Sequence, residues 1–310
     1  MNTSNKLVSV IIPTYKRSDS LCATIDSVLK QTYSNVEIIV VDDNGRGTEC
    51  QLQTEERLEE YISSGKIQYI THEVNKNGSA ARNTGFKVSK GSYINFMDDD
   101  DKMKPNFLES EVTRLKATDD KVGACYCNSI IKYIERGKTI FVQSHLKAEG
   151  NLCFKYLTGK YLFNTSAIVF KRSAIEQLNG FDESFRRHQD YELMTRFFCD
   201  YKICCAGEDA LLFYDLTEVR TYTHNAEKDF ELKKKFLTEL KSYLNKLGIY
   251  KEIAHYFWFT TMQTAVLSNQ FSYIFKAGQK SLSYGCFTLT EIILISKLII
   301  KHCIRRVYNH

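Results

Sequence analysis

The sequence predicts an α/β protein with a mostly parallel sheet flanked by helices, followed by a helical C-terminal region. Between residues 8 and 97, short apolar runs alternate with segments of helical periodicity, which is typical of repeated strand–helix units. The runs are apolar throughout, as expected of parallel strands that are buried on both faces. Acidic residues directly follow two of the runs, at 42–43 and 98–101. Ligands of such sheets bind beyond the carboxyl ends of the strands.

The first half of the chain contains four predicted strands separated by three predicted helices. The strands are Val8–Pro13, Val36–Val41, Ile67–Thr71 and Ser92–Met97. The helices are Ser20–Gln31, Thr48–Ile62 and Ser79–Ser89. Because parallel strands end at the same edge of a sheet, we expect the two acidic segments to meet there, although more than fifty residues separate them.

The second half has a less regular pattern and ends in a region that is wholly helical from Glu227. Before that point the predicted elements are a helix at Pro105–Lys116, strands at Gly123–Ile134 and Thr139–Gln143 joined by a hairpin turn, a strand at Thr165–Phe170, short helices at Ser173–Leu178 and His188–Cys199, and a strand and turn at Ile203–Tyr214. Only two prolines occur and no linker-like segment is present, so the parts are expected to pack together.

Composition restricts the class of protein. The net charge of +5 over 310 residues is mild and does not argue for nucleic-acid binding. The ten cysteines have no zinc-ribbon spacing and are expected to be free thiols in a reducing cytoplasm. The segment Met1–Lys6 does not resemble a signal peptide, and the apolar stretch Phe287–Ile300 is short and charged for a spanning helix. We therefore expect a cytoplasmic protein.

Four consecutive carboxylates, Asp98–Asp101, are the strongest chemical signal. Like charges repel, so a fold that keeps such a cluster after an apolar strand is expected to supply a cation. Carboxylate oxygens suit Mg²⁺ or Mn²⁺, and such an ion can also bind substrate phosphates. The alternative is a solvated acidic loop.

Five short motifs occur in order along the chain. They are Val8–Tyr15 (VSVIIPTY), Val40–Asn44 (VVDDN), Asn77–Asn83 (NGSAARN), Phe96–Asp101 (FMDDDD), and Gly180–Glu183 (GFDE) leading to His188–Glu192 (HQDYE). Across residues 7–225 the chain resembles the family 2 glycosyltransferases, inverting enzymes of the GT-A fold. The resemblance implies a nucleotide-sugar-binding half at 1–110, an acceptor-binding half at 111–225 and a helical extension at 226–310.

The resemblance assigns the first two motifs to the nucleotide. Pro13, Thr14 and Tyr15 would lie against the base and ribose, and Arg17 would approach the diphosphate. Asp43 resembles the carboxylate that accepts the uracil N–H, which favours a UDP-sugar donor. The alternative is that Asp43 and its neighbour cap a turn at the following Asn-Gly.

The third motif opens a helix, and a helix N-terminus with free N–H groups suits a diphosphate. Asn77 and Gly78 lie at this end, and Arg82 would add a guanidinium group that can bind phosphate in a bidentate manner. Arg82 can equally pair with a nearby aspartate, and both arrangements can hold at once.

In the D-x-D element of the family, the first aspartate faces the ribose and the last binds the metal. Aligned through Pro105, Asp98 and Asp100 form this pair and Asp99 lies between them, although four aspartates leave the register ambiguous by one. The resemblance thus implies donor contacts by Asp98 and Asp99, a Mn²⁺ or Mg²⁺ ion on Asp100, and a contribution from His224 to the metal or diphosphate.

An inverting transfer needs a base for the acceptor hydroxyl. The family places Glu-Asp at the start of a helix, whereas this chain has Gln189-Asp190. Asp190 is the candidate base, and Gln189 is the candidate acceptor contact without a charge. The alternative for Asp190 is a helix cap.

The C-terminal region has apolar residues at helical spacing and an excess of lysine and arginine. Between 271 and 310, six basic residues face a single acid, Glu291. A basic amphipathic helix is typical of a membrane-surface anchor, and the alternative is a helix that packs on the protein. A peripheral position on the inner face of the plasma membrane would fit a polyprenyl-diphosphate-linked acceptor in bacterial surface-glycan assembly.

Three hypotheses follow from these observations. The first is a metal-dependent hexosyl- or N-acetylhexosaminyltransferase that uses a UDP-sugar and a saccharide acceptor. The second is a non-catalytic nucleotide-sugar-binding scaffold on the same fold, which only Gln189 favours. The third is a metal-dependent phosphohydrolase, for which no nucleophile–base arrangement is apparent.

Overall fold

Strands and helices separate along the chain into two units. The computed structural model describes residues 6–135, 138–161, 163–208, 211–216 and 225–308, with side chains as far as residue 300. The first unit is Met1–Val219 and the second is Arg220–His310. All strands that the structure describes belong to the first unit.

The first unit contains eleven strands and seven helices in its described part. The strands are β1 (Val8–Thr14), β2 (Val36–Asp42), β3 (Gln68–Thr71), β4 (Tyr93–Phe96), β5 (Asp101–Met103), β6 (Val122–Tyr126), β7 (Asn128–Glu135), β8 (Lys138–Gln143), β9 (Ile168–Lys171), β10 (Lys202–Cys205) and β11 (Leu211–Asp215). The helices are α1 (Ser18–Leu29), α2 (Glu49–Ser63), α3 (Gly78–Val88), α4 (Phe107–Lys116), α5 (Cys153–Leu157), α6 (Arg172–Gln177) and α7 (Gln189–Asp200).

Seven strands form the main sheet in the order β10-β6-β9-β4-β1-β2-β3. Neighbouring strands are parallel except at β9, which runs antiparallel to β4 and β6. The predicted mostly parallel sheet is therefore confirmed. Val8 of β1 lies in register with both Val36 of β2 and Tyr93 of β4, so these three strands begin level with each other.

The apolar character of the central strands follows from burial on both faces. In β1, Val10, Ile11 and Ile12 are completely buried, although successive side chains point to opposite faces. Helix α3 packs closely on this strand, and Gly85 makes the approach possible because a β-carbon there would lie 2.4 Å from the Ile11 side chain. A continuous apolar run therefore marks a strand covered by helices on either side.

A second, four-stranded sheet has the order β5-β11-β7-β8. The single strand expected at Gly123–Ile134 is wrong: β6 belongs to the main sheet and β7 to the second sheet. The change occurs at Asn128, whose buried side chain donates to the carbonyls of Leu146 and Gly207 and accepts from Ser144 and Leu146. In the sequence, the transfer between sheets is marked only by the polar pair Asn128-Ser129 between two apolar runs, which does not distinguish a change of sheet from one continuous strand.

The segment Ile203–Tyr214, expected to be a strand and a turn, is also divided between the two sheets. It contains β10 of the main sheet and β11 of the second sheet. The expected hairpin between β7 and β8 is confirmed, with Glu135 paired to Lys138. Two short elements were not expected from the sequence, namely β5 and α5. Both are too short to show a periodicity.

The second unit is helical throughout its described part, as expected. Its helices are α8 (Ala226–Glu239), α9 (Lys241–Lys246), α10 (Tyr250–Leu267), α11 (Phe271–Leu282) and α12 (Leu289–Tyr308). Asn225 caps α8 by accepting a hydrogen bond from the Lys228 N–H, which fixes the start of the region. His255 of α10 lies 3.2 Å from Glu291 of α12 and joins these two helices.

Two further expectations concern the membrane and the thiols. No helix in the described part of the chain is long and apolar enough to cross a membrane. Every cysteine whose side chain the structure describes is a free thiol, as predicted.

Candidate functional site

The acidic segments meet at the carboxyl edge of the main sheet, as the strand order predicts. β1 ends at Thr14, whose hydroxyl donates to Asp99 over 2.8 Å. The Thr14 carbonyl accepts the Asp43 N–H at 2.9 Å. The end of β1 therefore joins the residues that follow β2 to those that follow β4.

The four aspartates alternate between the solvent and the interior. The side chains of Asp98 and Asp100 are 34% and 25% exposed, whereas that of Asp99 is 7% exposed. Asp101 is buried as well. The two carboxylates that face outward thus have the spacing of the expected D-x-D pair.

Asp99 is held by the protein itself. It accepts hydrogen bonds from Thr14 and, at 3.3 Å, from Arg17. Burial raises the pKa of Asp99 to about 6, against the opposing effect of these two donors. Thr24 donates to the carbonyls of Asp99 and Asp101 and so fixes the backbone of the cluster. Asp99 therefore stabilises the loop that follows β4. Its contact with the nucleotide-sugar donor stays a prediction.

Asp101 connects the cluster to the second sheet. It pairs with Tyr214 across β5 and β11, and its carboxylate accepts a hydrogen bond from Asn164 at 3.3 Å. Tyr214 in turn donates to the Asn164 side chain. Burial raises the pKa of Asp101 well above its ordinary value. A buried, satisfied carboxylate of this kind positions its neighbours and does not reach a ligand.

The residues expected to receive the nucleotide surround the end of β1. Pro13 is half-buried and Tyr15 is 44% exposed, so the Tyr15 ring presents a face for stacking. Arg17 lies beside the cluster and pairs with Asp100 at 2.8 Å. Lys16, between Tyr15 and Arg17 in the chain, has a left-handed backbone with φ 58°, and its N–H donates to the Asn44 side chain. Their contacts with a nucleotide remain predictions.

Asp43 organises the loop before α3. One oxygen accepts from His72 at 2.7 Å and from the Lys76 N–H at 2.8 Å. The other accepts from the Asn75 side chain and the Asn77 N–H, both at 2.8 Å. A carboxylate offers about four lone-pair directions, so a uracil N–H that approached Asp43 would displace one of these donors. The contact of Asp43 with uracil stays a prediction. Its structural role, which is to hold the loop before α3, was not predicted from the sequence.

The expectation of free N–H groups at the start of α3 is wrong for the two residues after Gly78. The Asn77 side chain accepts from the N–H groups of Ser79 and Ala80 at 2.9 and 3.2 Å. Asn77 adopts φ 103°, which places its side chain over its own helix. The helix cap thus satisfies donors that the sequence predicted to be open to a diphosphate.

Arg82 joins the acidic cluster to the start of α7. One terminal nitrogen donates to Asp98 at 2.6 Å and the other donates to Gln189 at 2.9 Å. The guanidinium carbon lies 5.5 Å from the centre of the Phe181 ring, and the side chain is only 12% exposed. A β-carbon on Gly78 would lie 2.9 Å from Arg82 and 3.0 Å from Gln189, so this glycine leaves room for their bond. The expected pairing of Arg82 with an aspartate is confirmed.

Asp190 lies in the first turn of α7 and does not cap it. The residue before the helix is His188, with φ 57° and no side-chain capping bond. Asp190 accepts a hydrogen bond from the Tyr156 hydroxyl at 3.0 Å. Tyr156 is buried, and burial raises the pKa of its phenol well above the ordinary value. The Tyr156 phenol therefore stays protonated and fixes the Asp190 carboxylate.

Sequence reasoning missed Tyr156 because it lies in α5, which has no periodicity of its own. A cavity of about 240 Å³ adjoins Asp190 and brings together residues from four parts of the chain. Its lining is Arg82, Asp98, Asn164, Thr165, Phe181, Arg186, Arg187, His188, Gln189 and Asp190. The only sequence signal for Arg186 and Arg187 was their position just before the HQD motif. His224 lies outside the described residues.

The outward-facing aspartates fit a hard divalent cation in their chemistry. Asp98 and Asp100 offer carboxylate oxygens, and magnesium is commonly held by one or two carboxylates together with substrate phosphates. Among the described residues no three histidine, cysteine or acidic side chains converge on a point. A metal at this cluster would therefore depend on the phosphates of a bound nucleotide for most of its ligands.

Known proteins resemble the chain in sequence and in fold. A glycosyltransferase for amylovoran biosynthesis from Erwinia amylovora, AmsB, is 36% identical over 194 residues, which are 61% of this chain and 62% of that protein. The Escherichia coli enzyme WfgD, a UDP-Glc:α-D-GlcNAc-diphosphoundecaprenol β-1,3-glucosyltransferase, is 38% identical over 109 residues, which are 35% of this chain and 41% of that protein. The chain thus spans less than two thirds of these relatives.

Among solved structures, Staphylococcus aureus TarS (residues 1–349) with UDP-GlcNAc has a TM-score of 0.59 at 17% identity. The match covers 90% of this chain and 89% of that one and supports the GT-A fold. The family model "Glycosyl transferase family 2" matches residues 9–178, more than half of the chain, and includes the donor-side motifs from residue 9 onward. The chain therefore belongs to glycosyl transferase family 2.

Proposed function

We propose that this chain transfers a sugar from a UDP-sugar to a saccharide acceptor, with inversion, in the assembly of a bacterial surface glycan. The observation that carries the proposal is the link from Asp98 through Arg82 to Gln189, next to Asp190. This link joins the group expected to hold the donor to the residue expected to act as base. The transferred sugar is a hexose or an N-acetylhexosamine.

On the donor side, the nucleotide lies over the end of β1. The exposed Tyr15 ring supports the base, and Arg17 lies close enough to the cluster to reach a diphosphate. Asp43 and Asp99 hold the two neighbouring loops in place through buried hydrogen bonds. The nucleotide site is in this way preorganised by carboxylates that are themselves satisfied.

Asp98 and Asp100 would hold Mn²⁺ or Mg²⁺ together with the donor diphosphate. Such an ion, when bound, would neutralise charge on the leaving UDP. Arg17 and Arg82 pair with these carboxylates, at 2.8 Å from Asp100 and 2.6 Å from Asp98. Two guanidinium groups beside the cluster would also stabilise the negative charge that UDP gains on departure.

On the acceptor side, Asp190 removes the proton from the attacking hydroxyl. The hydroxyl oxygen forms the new bond to the anomeric carbon while the bond from that carbon to the UDP oxygen breaks on the opposite face. The hydrogen bond from Tyr156 to one oxygen of Asp190 orients the other oxygen. Gln189 is held by Arg82 and lies at the same cavity, where its amide can contact the acceptor.

The similar proteins support the choice of substrates. WfgD is named for UDP-Glc as donor and a diphosphoundecaprenol-linked sugar as acceptor, and AmsB is named for the biosynthesis of amylovoran. We extend this substrate class to the present chain: a UDP-sugar and a saccharide on a polyprenyl diphosphate.

A transfer assay tests the proposal. The protein is incubated with single UDP-sugars, Mn²⁺ or Mg²⁺, and a lipid-diphosphate saccharide, and the product is followed by mass spectrometry. We expect a product heavier by one sugar with the β-configuration for an α-linked donor. Release of UDP and free sugar without transfer would instead identify a hydrolase.

A second candidate is a nucleotide-sugar-binding scaffold without catalysis. It is favoured by one observation, the neutral Gln189 where the family has a glutamate. In the same assay the scaffold would bind UDP-sugar but give neither transfer nor hydrolysis with any donor.

We further propose that the second unit attaches the protein to a membrane surface. Phe275 and Leu289 are about three quarters exposed, at 74% and 73%, and α12 exposes further apolar side chains at Ile292, Ile293 and Ile300. Lysines lie on the same two helices, at 276, 280 and 297. Exposed apolar side chains flanked by lysines are what an anionic membrane surface binds.

A further inference from the structure

Two adjacent arginines at the cavity have no function in the proposed mechanism. Arg186 and Arg187 line the cavity together with Asp190 and are both exposed. No hydrogen bond or ion pair joins either arginine to a residue that the structure describes. By contrast, Arg82 and Arg196, which belong to neighbouring parts of the same unit, each have carboxylate partners.

The charges at the cavity do not balance. Three guanidinium groups line it, those of Arg82, Arg186 and Arg187, against the two carboxylates of Asp98 and Asp190. Arg82 is already matched by Asp98 at 2.6 Å. Gln189 adds no negative charge, although a glutamate in its place would. The substitution therefore leaves the cavity with an excess of positive charge, as expected of a site for an anion.

The anion belongs to the acceptor, because of where the arginines lie. Two groups assigned to the donor, Asp98 and Arg82, also line the cavity, whereas Arg17 and Asp100 are not among its lining residues. Arg186 and Arg187 lie next to the base in the chain, four and three residues before Asp190. The base must contact the attacking hydroxyl, so its immediate neighbours face the acceptor.

We propose that Arg186 and Arg187 bind the diphosphate of an acceptor in which a single sugar is attached directly to that diphosphate. This inference rests on the proposed function and makes it narrower. In such an acceptor only one sugar ring separates the reacting hydroxyl from the first phosphate, which suits arginines next to the base. Guanidinium groups bind phosphate oxygens in a bidentate manner and remain charged at any physiological pH.

The proposal also defines what must precede this enzyme. Its acceptor has to be made by a reaction that transfers a sugar phosphate to a polyprenyl phosphate, since that chemistry creates a sugar–diphosphate–lipid linkage. A longer oligosaccharide acceptor would carry its diphosphate away from the base and out of reach of the two arginines.

The test compares two probes that differ only in the diphosphate. One is N-acetylglucosamine joined through a diphosphate to a decyl chain, and the other is decyl N-acetylglucosaminide. Binding of each is measured by calorimetry with UDP present but no donor sugar, so that turnover is not needed. We expect wild-type protein to prefer the diphosphate probe, with an affinity that falls as salt is raised.

Variants Arg186→Gln, Arg187→Gln and the double variant are compared with Arg57→Gln, an α2 arginine paired with Asp19. The double variant should bind the diphosphate probe at least about 30-fold more weakly while its affinity for the glycoside and for UDP stays unchanged. The Arg57 control should match wild type. Replacement of both arginines by lysine should give an affinity between those of wild type and the double glutamine variant, since lysine keeps the positive charge but cannot bind phosphate in a bidentate manner.

Several results would overturn the proposal. Equal losses for both probes would assign the arginines to the sugar or to the shape of the loop. A loss of UDP affinity would place them on the donor side, and no loss at all would leave them as solvated side chains. A wild-type protein that transfers sugar yet binds the diphosphate probe no better than the glycoside would refute this inference and leave the proposed function intact. A wild-type protein without transfer to any acceptor would refute the proposed function itself.

Discussion

At the scale of single residues, identical side chains in one segment have different functions. Asp99 and Asp101 are buried and bind Thr14 and Asn164, whereas Asp98 and Asp100 are partly exposed and pair with arginines. A buried carboxylate that is hydrogen-bonded fixes the backbone, and this in turn aims its neighbours outward. The alternation leaves two outward-facing aspartates, spaced by one residue, in an otherwise uniform run.

Replacement of Asp100 tests the metal. In Asp100→Ala, the affinity for UDP measured with Mn²⁺ should fall by at least about tenfold, since a carboxylate ligand is lost. Affinity measured without metal should change little or rise, because Arg17 loses the closer of its two carboxylate partners. Calorimetric titration of UDP with and without Mn²⁺ measures both. Asp120→Ala, in an exposed loop, is the control, and an unchanged response to Mn²⁺ would exclude Asp100 as a ligand.

Replacement of Asp190 tests the base. In Asp190→Asn, the amide keeps an oxygen for the Tyr156 hydroxyl but cannot take a proton. This variant should therefore reduce the rate of transfer by roughly 10²–10⁴-fold with nearly unchanged affinity for UDP. Single-turnover transfer assays and UDP titrations give the two values, with Asp120→Asn as the matched control. Transfer at the wild-type rate would remove Asp190 from the mechanism.

At the scale of elements, helix α3 contains one glycine for the core and another for the site. Gly85 packs on β1, where a β-carbon would lie 2.4 Å from Ile11. Gly78 is at the first turn, where a β-carbon would meet the ends of the Arg82 and Gln189 side chains. The helix therefore serves both as cover for the sheet and as a support for the link between the two halves of the site.

These two glycines give a matched pair of variants. Gly85→Ala should lower the free energy of unfolding by about 1–3 kcal/mol, since the core is overpacked. Gly78→Ala should leave stability within about 1 kcal/mol of wild type, because alanine favours the helix, but should reduce transfer by displacing Arg82 from Gln189. Chemical denaturation and the transfer assay separate the effects. Equal loss of stability in both variants would contradict the assignment of Gly85 to the core and Gly78 to the site.

Helix α4 is tied to the sheet by a buried acid. Glu111 is completely buried and accepts the Val169 N–H of β9 at 2.7 Å. Burial raises the pKa of Glu111 well above its ordinary value. The folded chain therefore keeps a proton that the unfolded chain loses between the two pKa values. Within this range the unfolding free energy must fall as the pH rises.

In Glu111→Gln, the amide oxygen can still accept the Val169 N–H and no proton is lost. The unfolding free energy of this variant should thus fall less steeply than that of wild type as the pH rises above the ordinary pKa of a glutamate. Denaturant titrations at several pH values measure the slope. Glu56→Gln, exposed on α2, controls for the general change in charge. Parallel slopes for wild type and Glu111→Gln would show that the buried carboxyl does not titrate in this range.

At the scale of the whole molecule, the two units differ in what they expose. The first unit concentrates its chemistry at one edge of a sheet. The second unit exposes large apolar side chains on α11 and α12, among them Phe275 and Leu289. An enzyme whose acceptor is embedded in lipid gains from a surface that holds it at the membrane, since the acceptor is then locally concentrated.

Vesicle binding tests this surface. The double variant Phe275→Ser and Leu289→Ser should bind vesicles with anionic phospholipid at least about tenfold more weakly than wild type. Both side chains are largely exposed, so the fold should be unaffected. Leu52→Ser, an exposed leucine of α2 in the first unit, is the control. If wild-type protein does not bind the vesicles, or binds them no better than the double variant, the exposed side chains of α11 and α12 have no membrane function.

By its resemblance to the family, the sequence indicated Asp190 as the candidate base. By its own pattern it determined the alternation of strands and helices between residues 8 and 97 and the edge at which the acidic segments meet. These features depend on periodicity and strand direction, which are local properties of the chain. Only the tertiary structure decided which aspartates face outward, that Tyr156 holds Asp190, and that residues 123–134 divide between two sheets. It also showed that Asn77 occupies the N–H groups expected for a diphosphate. Such contacts join residues that are distant in sequence or depend on the exact backbone conformation, so no local pattern specifies them.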